Sequence, residues 1–256
     1  MRLLLLIFVT LILSSFKADK SGPWIVNKDK NIILYTRPLN YSKSVSPDSI
    51  TIRKILDEQN QSIAFINNAL NTNFNSKVII YLYNYDEAME KIGTNGGGFA
   101  FASRLLGKHI FFTYNSKLHE SVKYQDFLGK HEMTHIIVGT KIGKTKTRLM
   151  AEGYANAVDW TYGCTSIDYW IKKYKAEHKM VKPSDLLINN GAKIPEVEFY
   201  PQSGYFIKWL FSRFGIKKVN KLYSINKENF IEEYKNVTGE LFSEMEIKYL
   251  DYCYKD

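Results

Sequence analysis

Cysteine is nearly absent from this chain. Cys164 and Cys253 are the only two in 256 residues, so no disulfide framework can organise the fold. The two can pair in an oxidising compartment or stand as buried thiols, and the sequence leaves both open. Dense Lys/Arg runs are missing as well. The net charge of +9 is spread along the chain, which argues against a nucleic-acid arm and for a basic protein without nucleic acid as partner. No segment beyond the N-terminus is apolar enough to span a bilayer. The glycine turn Asn95-Gly-Gly-Gly98 lacks the Lys-Ser/Thr of a phosphate loop, so it reads as a hairpin or bulge, or as a loop approaching a ligand backbone. Histidine is scarce: there are five, and the spacing of two of them carries the argument.

Those two lie in Gly129-Lys-His131-Glu132-Met-Thr-His135-Ile-Ile. On a helix, residues four apart share a face, so His131 and His135 aim two imidazoles at one point, as a zinc ion requires. Glu132 follows the first histidine and flanks the metal without binding it. A carboxylate there can take a proton from an attacking water. The competing explanation is a plain helix with two histidines. Phe127, Leu128, Ile136, Ile137 and Val138 give this helix a broad apolar surface and place it at the domain centre. Ser121 is its expected cap and Gly139-Thr140 its expected end. His109, His119 and His178 fall outside any ligand spacing and read as structural or solvated.

A second helix follows one short loop later, from Arg148 to Tyr162 with Gly163 just past its end. Ala151, Tyr154, Ala155, Val158 and Tyr162 form its apolar stripe. Glu152, Asn156 and Asp159 form a polar stripe, which is a solvated face or, beside two candidate ligands, an inward one. An antiparallel return brings Glu152 to the metal as third ligand. Two His and one carboxylate leave a fourth position open, as in catalytic zinc sites. Asn156 or Asp159 is then expected to accept from the far nitrogen of a ligand imidazole. Zn2+, one per chain, is favoured among divalent ions by ligand type and availability.

At the N-terminus, Met1-Arg2 precedes an apolar run from Leu3 to Leu13, with Ser14, Ser15 and Ala18 as small residues. Residues 1–18 read as a secretory signal peptide, with an uncleaved anchor as the alternative and the only expected membrane tie. No cysteine near the cleavage region supports a lipoprotein anchor. The chain is expected outside the cytoplasm, secreted or periplasmic. Residues 19–256 then form one domain, with a β-containing half at about 19–120 and a helical half at about 121–256. The 45% hydrophobic content is ample for its core.

Short strands are expected at Trp24–Val26 and Ile32–Tyr35 with a polar turn over residues 27–31. A long helix opens at Pro47-Asp-Ser and runs to about Leu70. Val78–Tyr83 is a buried strand, and a short helix spans Tyr85 to Lys91. His109–Tyr114 is a strand that, as an edge beside the cleft, can receive an extended peptide. Helices are expected near 165–177, 197–214, 217–223, 227–236 and 240–254, with loops at Pro183 and Pro195. The expected class is α+β: a small N-terminal mixed sheet with flanking helices, a central pair of metal-binding helices and a helical C-terminal lobe.

His131-Glu132-x-x-His135 followed by Met150-Ala-Glu152-Gly153-Tyr-Ala155 resembles the gluzincin metallopeptidases, and among them the peptidase MA-like branch. The likeness extends from the helix after Pro47 to Tyr200-Pro-Gln-Ser-Gly204 and Arg213-Phe-Gly215. It implies a thermolysin-like catalytic fold. His131, His135 and Glu152 would be zinc ligands, and Glu132 the general base. It also implies an oxyanion-stabilising tyrosine: Tyr200 before Gly204 is the nearest match, displaced by one residue from the aminopeptidase spacing, and Tyr205 is the alternative. The sixteen residues between His135 and Glu152 are fewer than in thermolysin, so the connection is tighter. The Gly-x-Met-Glu-Asn element of the aminopeptidases is absent, so the resemblance favours an endopeptidase acting on peptide or protein substrates. An aminopeptidase and a zinc-stabilised surface or binding protein without catalysis are the rivals.

Overall fold

The computed structural model of the chain describes residues 23–37, 47–84, 98–103, 107–114, 128–163, 165–188 and 193–255. The architecture is α+β, with a small mixed sheet in the N-terminal half and helices in the remainder. The strands are β1 (Ile25–Asp29), β2 (Ile32–Thr36), β3 (Val78–Asn84), β4 (Gly98–Ser103) and β5 (Gly107–Tyr114), in spatial order β1-β2-β3-β5-β4. The two outer pairs are antiparallel; β2–β3 and β3–β5 are parallel.

The strands form because side chains alternate between two faces. Ile32, Leu34, Val78, Ile80, Leu82 and Ile110 enter the core at 4% exposure or less, and each fully buried aliphatic contributes about 1.5–3 kcal/mol. On the opposite face Tyr35, Tyr81 and Phe111 stack ring on ring across β2, β3 and β5. Helix α1 (Ser49–Leu70) crosses between β2 and β3. Asp48 caps it by accepting the Thr51 N–H at 2.7 Å. Ile55, Leu56, Ile63, Ile66 and Leu70 are buried, whereas Phe65, whose position fits the apolar pattern, is exposed.

Three strand expectations need correction. The polar stretch 27–31 is mostly strand, since β1 pairs with β2 as far as Asp29 and only Lys30-Asn31 turn. As an edge, β1 tolerates Asn27, Lys28 and Asp29. Gly98 opens β4 rather than closing a turn. Because β4 pairs with β5 from Gly98↔Phe112 to Ser103↔Gly107, the His109 strand is interior, and among the described residues β4 holds the edge. The expected helix at 85–91, residues 95–97 of the glycine turn, His119, Ser121 and Phe127 lie outside the described residues.

The helical half comprises α2 (His131–Lys141), α3 (Arg148–Asp159), α4 (Ile167–Ala176), α5 (Pro183–Ile188), α6 (Glu196–Phe214), α7 (Ile216–Tyr223), α8 (Phe230–Thr238) and α9 (Phe242–Tyr254). Pro183 starts a short helix rather than a loop, as its missing N–H allows at a first position. Pro201 lies inside α6. It cannot donate to the Val197 carbonyl one turn earlier, and Tyr174 Oη donates to that oxygen instead, at 2.5 Å. Helix α3 stops earlier than expected: Trp160 adopts φ +59° after Asp159, and Thr161-Tyr162 pair with Thr165-Ser166 in a small hairpin. Cys253 is a free, buried thiol; Cys164 lies outside the described residues. Among the described residues no helix is long and apolar enough to cross a membrane.

Candidate metal centre

Helix α2 begins at His131, so the first histidine is also the first helical residue. Its approach is through Gly129 at φ +67°, a left-handed conformation that suits glycine. The Lys130 carbonyl accepts from both the N–H and the hydroxyl of Thr134, each at 2.8 Å. The helix runs on through Gly139 and Thr140 to Lys141. Thr140 stays helical by donating its hydroxyl to the Ile136 carbonyl at 2.7 Å. Met133, Ile136, Ile137 and Val138 bury the helix at 1% exposure or less. Helix α3 starts at a capping Thr147, whose hydroxyl accepts the Met150 N–H at 3.2 Å.

The two helices run in opposite directions: Glu152 meets His131 and His135, while Asp159, two turns later, meets Lys130. His131 Nε2 lies 3.2 Å from His135 Nε2 and 3.2 Å from Glu152 Oε2. His135 Nε2 lies 3.5 Å from the same oxygen. Ligands about 2.1 Å from a tetrahedral zinc stand about 3.4 Å from one another, so this triangle has the dimensions of one face of a zinc tetrahedron. Each of the three atoms can offer a lone pair to a cation placed between them. His131, His135 and Glu152 therefore form a group that can hold a metal ion.

Electrostatics follow the same geometry. Burial pushes the Glu152 carboxyl up, but hydrogen bonds and charge from His131 and His135 outweigh it and hold the group well below the usual carboxylate range. Burial pushes His131 down, and its hydrogen bond to Glu152, with the charges of Glu132, Glu152 and Asp159, raises it overall. Glu132 is 8% exposed. Burial raises its pKa against the lowering effect of the two histidines, a shift that suits a proton acceptor.

Tyr200 sits next to this group, its ring 6.1 Å from that of His131. Burial raises its pKa, and the nearby Glu152 adds to the rise. Arg148 Nη2 donates to Tyr200 Oη at 3.4 Å and to Glu196 at 2.6 Å. Tyr205 points elsewhere, stacking on Tyr252 and tilting against Trp160. Among the described residues neither Asn156 nor Asp159 hydrogen-bonds a histidine ring. Asn156 Nδ2 donates to the Glu152 carbonyl at 2.9 Å, and its Oδ1 is buried without a partner. Asp159 Oδ1 accepts the Lys130 N–H at 2.7 Å, and Oδ2 accepts from Thr161. The reason is distance along α3: seven residues carry Asp159 about 10 Å past Glu152, level with the entry to α2 rather than with the imidazoles.

Glu152 is held in place by an unusually close helix crossing. A Cβ on Gly153 would meet Ile207 Cγ1 at 2.5 Å and the Ser203 carbonyl at 3.0 Å. One on Gly204 would meet Asn156 Cβ at 2.6 Å. Not anticipated from the sequence are Glu58 and Gln59, which hydrogen-bond the backbone at Leu128 and Gly129, and Arg148, which donates to Tyr200. Of these only Gln59 carries a signal, because with Ser62 it interrupts the buried stripe of α1 with a polar side chain. No family model matches this chain, and no curated protein matches it.

Proposed function

We propose that this chain is a secreted zinc-dependent metallopeptidase of the gluzincin type, with endopeptidase action on peptide or protein substrates. The observation that carries this reading is the triangle of His131 Nε2, His135 Nε2 and Glu152 Oε2 with a buried glutamate, Glu132, beside it. A purely structural metal site needs no free carboxylate next to its ligands. Zinc bound there would supply Lewis acidity, polarising a carbonyl and acidifying water. His131, His135 and Glu152 would hold it. Glu132 would accept a proton from the attacking water and pass it to the leaving amine. Tyr200, the tyrosine beside His131, would donate its hydroxyl to the oxyanion as negative charge gathers. The β4 edge, close against α2, is where an extended peptide would add as a further strand.

The test is hydrolysis of N-terminally blocked peptides by zinc-loaded protein, compared with Glu132→Gln. The proposal expects turnover in the wild type and a loss of at least about 10²-fold in the variant, with zinc content unchanged. Hydrolysis limited to peptides with a free amino terminus would identify an aminopeptidase. Equal turnover in the variant would remove Glu132 as the base.

A further inference from the structure

The chain segment that delivers His131 is held by side chains from elsewhere in the fold. His131 is the first residue of α2, and Lys130 before it provides no side-chain cap. Frayed first turns are common in uncapped helices, and here fraying would displace a metal ligand directly. Glu58 and Gln59, neighbours on α1, lie some seventy positions upstream. Glu58 Oε1 accepts the N–H of Leu128 at 2.9 Å and that of Gly129 at 3.0 Å. Gln59 Nε2 donates to the Gly129 carbonyl at 3.0 Å and to Glu58 Oε1 at 3.0 Å, fixing the carboxylate it lies beside. From the other side Asp159 Oδ1 takes the Lys130 N–H at 2.7 Å. Gln59 is only 1% exposed and Leu128 6%, so the Gln59 side of the clamp is buried, while Glu58 itself is half-buried.

We infer that Glu58, with Gln59 and Asp159, is a positioning residue of the metal centre: the clamp on Leu128-Gly129-Lys130 sets where His131 Nε2 stands and thereby sets metal affinity. This rests on the metal-site reading above. It reaches beyond the motif, since it places part of the determinant of affinity on a helix that contributes no ligand. The coupling is reciprocal: metal bound at His131 protects the amides of Leu128, Gly129 and Lys130 from exchange.

The test uses the full chain and zinc alone as ligand. Zinc affinity is measured by competition with a chromophoric chelator, and amide exchange is followed over residues 128–134. Glu58→Ala is compared with Ile66→Val, a core truncation on the same helix that weakens the fold without touching the clamp. Glu58→Ala should lower zinc affinity about 10- to 100-fold, as loss of groups that orient ligands does, and should speed exchange over 128–134. Ile66→Val should leave affinity within about twofold. If Glu58→Ala does not fold, Asp159→Ala replaces it, with the same expected direction. A clamp variant that binds zinc as tightly as the wild type, or a control that loses as much, overturns this inference alone. A wild type that takes up no zinc overturns the metal reading and this inference with it.

Discussion

Glu152 Oε2 stands 3.2 Å from His131 Nε2, a pairing of side chains from two helices and 21 positions apart in sequence. In the metal-free chain these two groups stabilise each other as an ion pair. His131 titrates above its ordinary 6.5 despite the opposing effect of burial. Its contribution is therefore full below pH 6.5 and lost as pH rises through the folded value. Glu152 is held below its ordinary 4.5 by the histidines, again against burial. Its contribution is full above pH 4.5 and lost as pH falls through the folded value.

The two contributions coexist fully between pH 4.5 and 6.5. In the presence of a chelator, wild type should exceed Glu152→Gln in thermal midpoint most clearly inside that window. The advantage should shrink on both sides. Glu132, raised chiefly by burial, contributes in the opposite sense, favouring the fold below pH 4.5, but it is present in both proteins. Thermal scans from about pH 4 to about pH 8 check this. A difference that stays flat across the range would mean that the pair does not form.

Of the two candidate tyrosines, Tyr200 lies beside His131 and Tyr205 packs on Tyr252. Tyr200→Phe removes the phenol next to His131 and should lower kcat by about 10²-fold with zinc retained. Tyr205→Phe loses a hydroxyl in the aromatic cluster with Trp160 and Tyr252 and should leave kcat within about threefold. Steady-state kinetics on one blocked peptide decide between them, and the reverse order of effects would reassign the role to Tyr205.

Gly153 has no room for a methyl group. A Cβ there would sit 2.5 Å from Ile207 Cγ1 and 3.0 Å from the Ser203 carbonyl, a backbone atom that cannot rotate away. Gly153→Ala should cost about 1–3 kcal/mol of stability by forcing α3 and α6 apart. Because Glu152 precedes it, zinc affinity should fall as well. Denaturant unfolding and zinc titration measure the two effects. An alanine variant as stable as the wild type would show that the crossing is looser than its geometry indicates.

The parts of the site that follow from local periodicity were legible in the sequence. His131 and His135 share a face because four residues make about one helical turn, and Glu152 meets them because a short loop returns α3 against α2. The α+β class, the α1 helix and the β3 strand were readable from the same kind of pattern. What depends on register was not. Nothing in Gly98–Ser103 announces that this strand, and not the His109 strand, takes the sheet edge; that is decided by pairing with β5. Asp159 shares a stripe with Glu152, yet its place along α3 directs it to the Lys130 backbone. Gln59 stands out as a polar residue in the buried stripe of α1, but no local pattern encodes that it and Glu58 reach the backbone at Leu128 and Gly129.

The central claim is that three side chains hold one zinc ion, and metal content of the purified protein tests it most directly. Wild type and Glu152→Ala would be loaded with zinc, freed of excess and analysed for metal per chain. The account predicts about one zinc per wild-type chain and a weakened or empty site in the variant. No zinc in wild type under metal-replete conditions would contradict it: His131 and His135 would then be only the face of a helix, and the peptidase proposal would fall with the site.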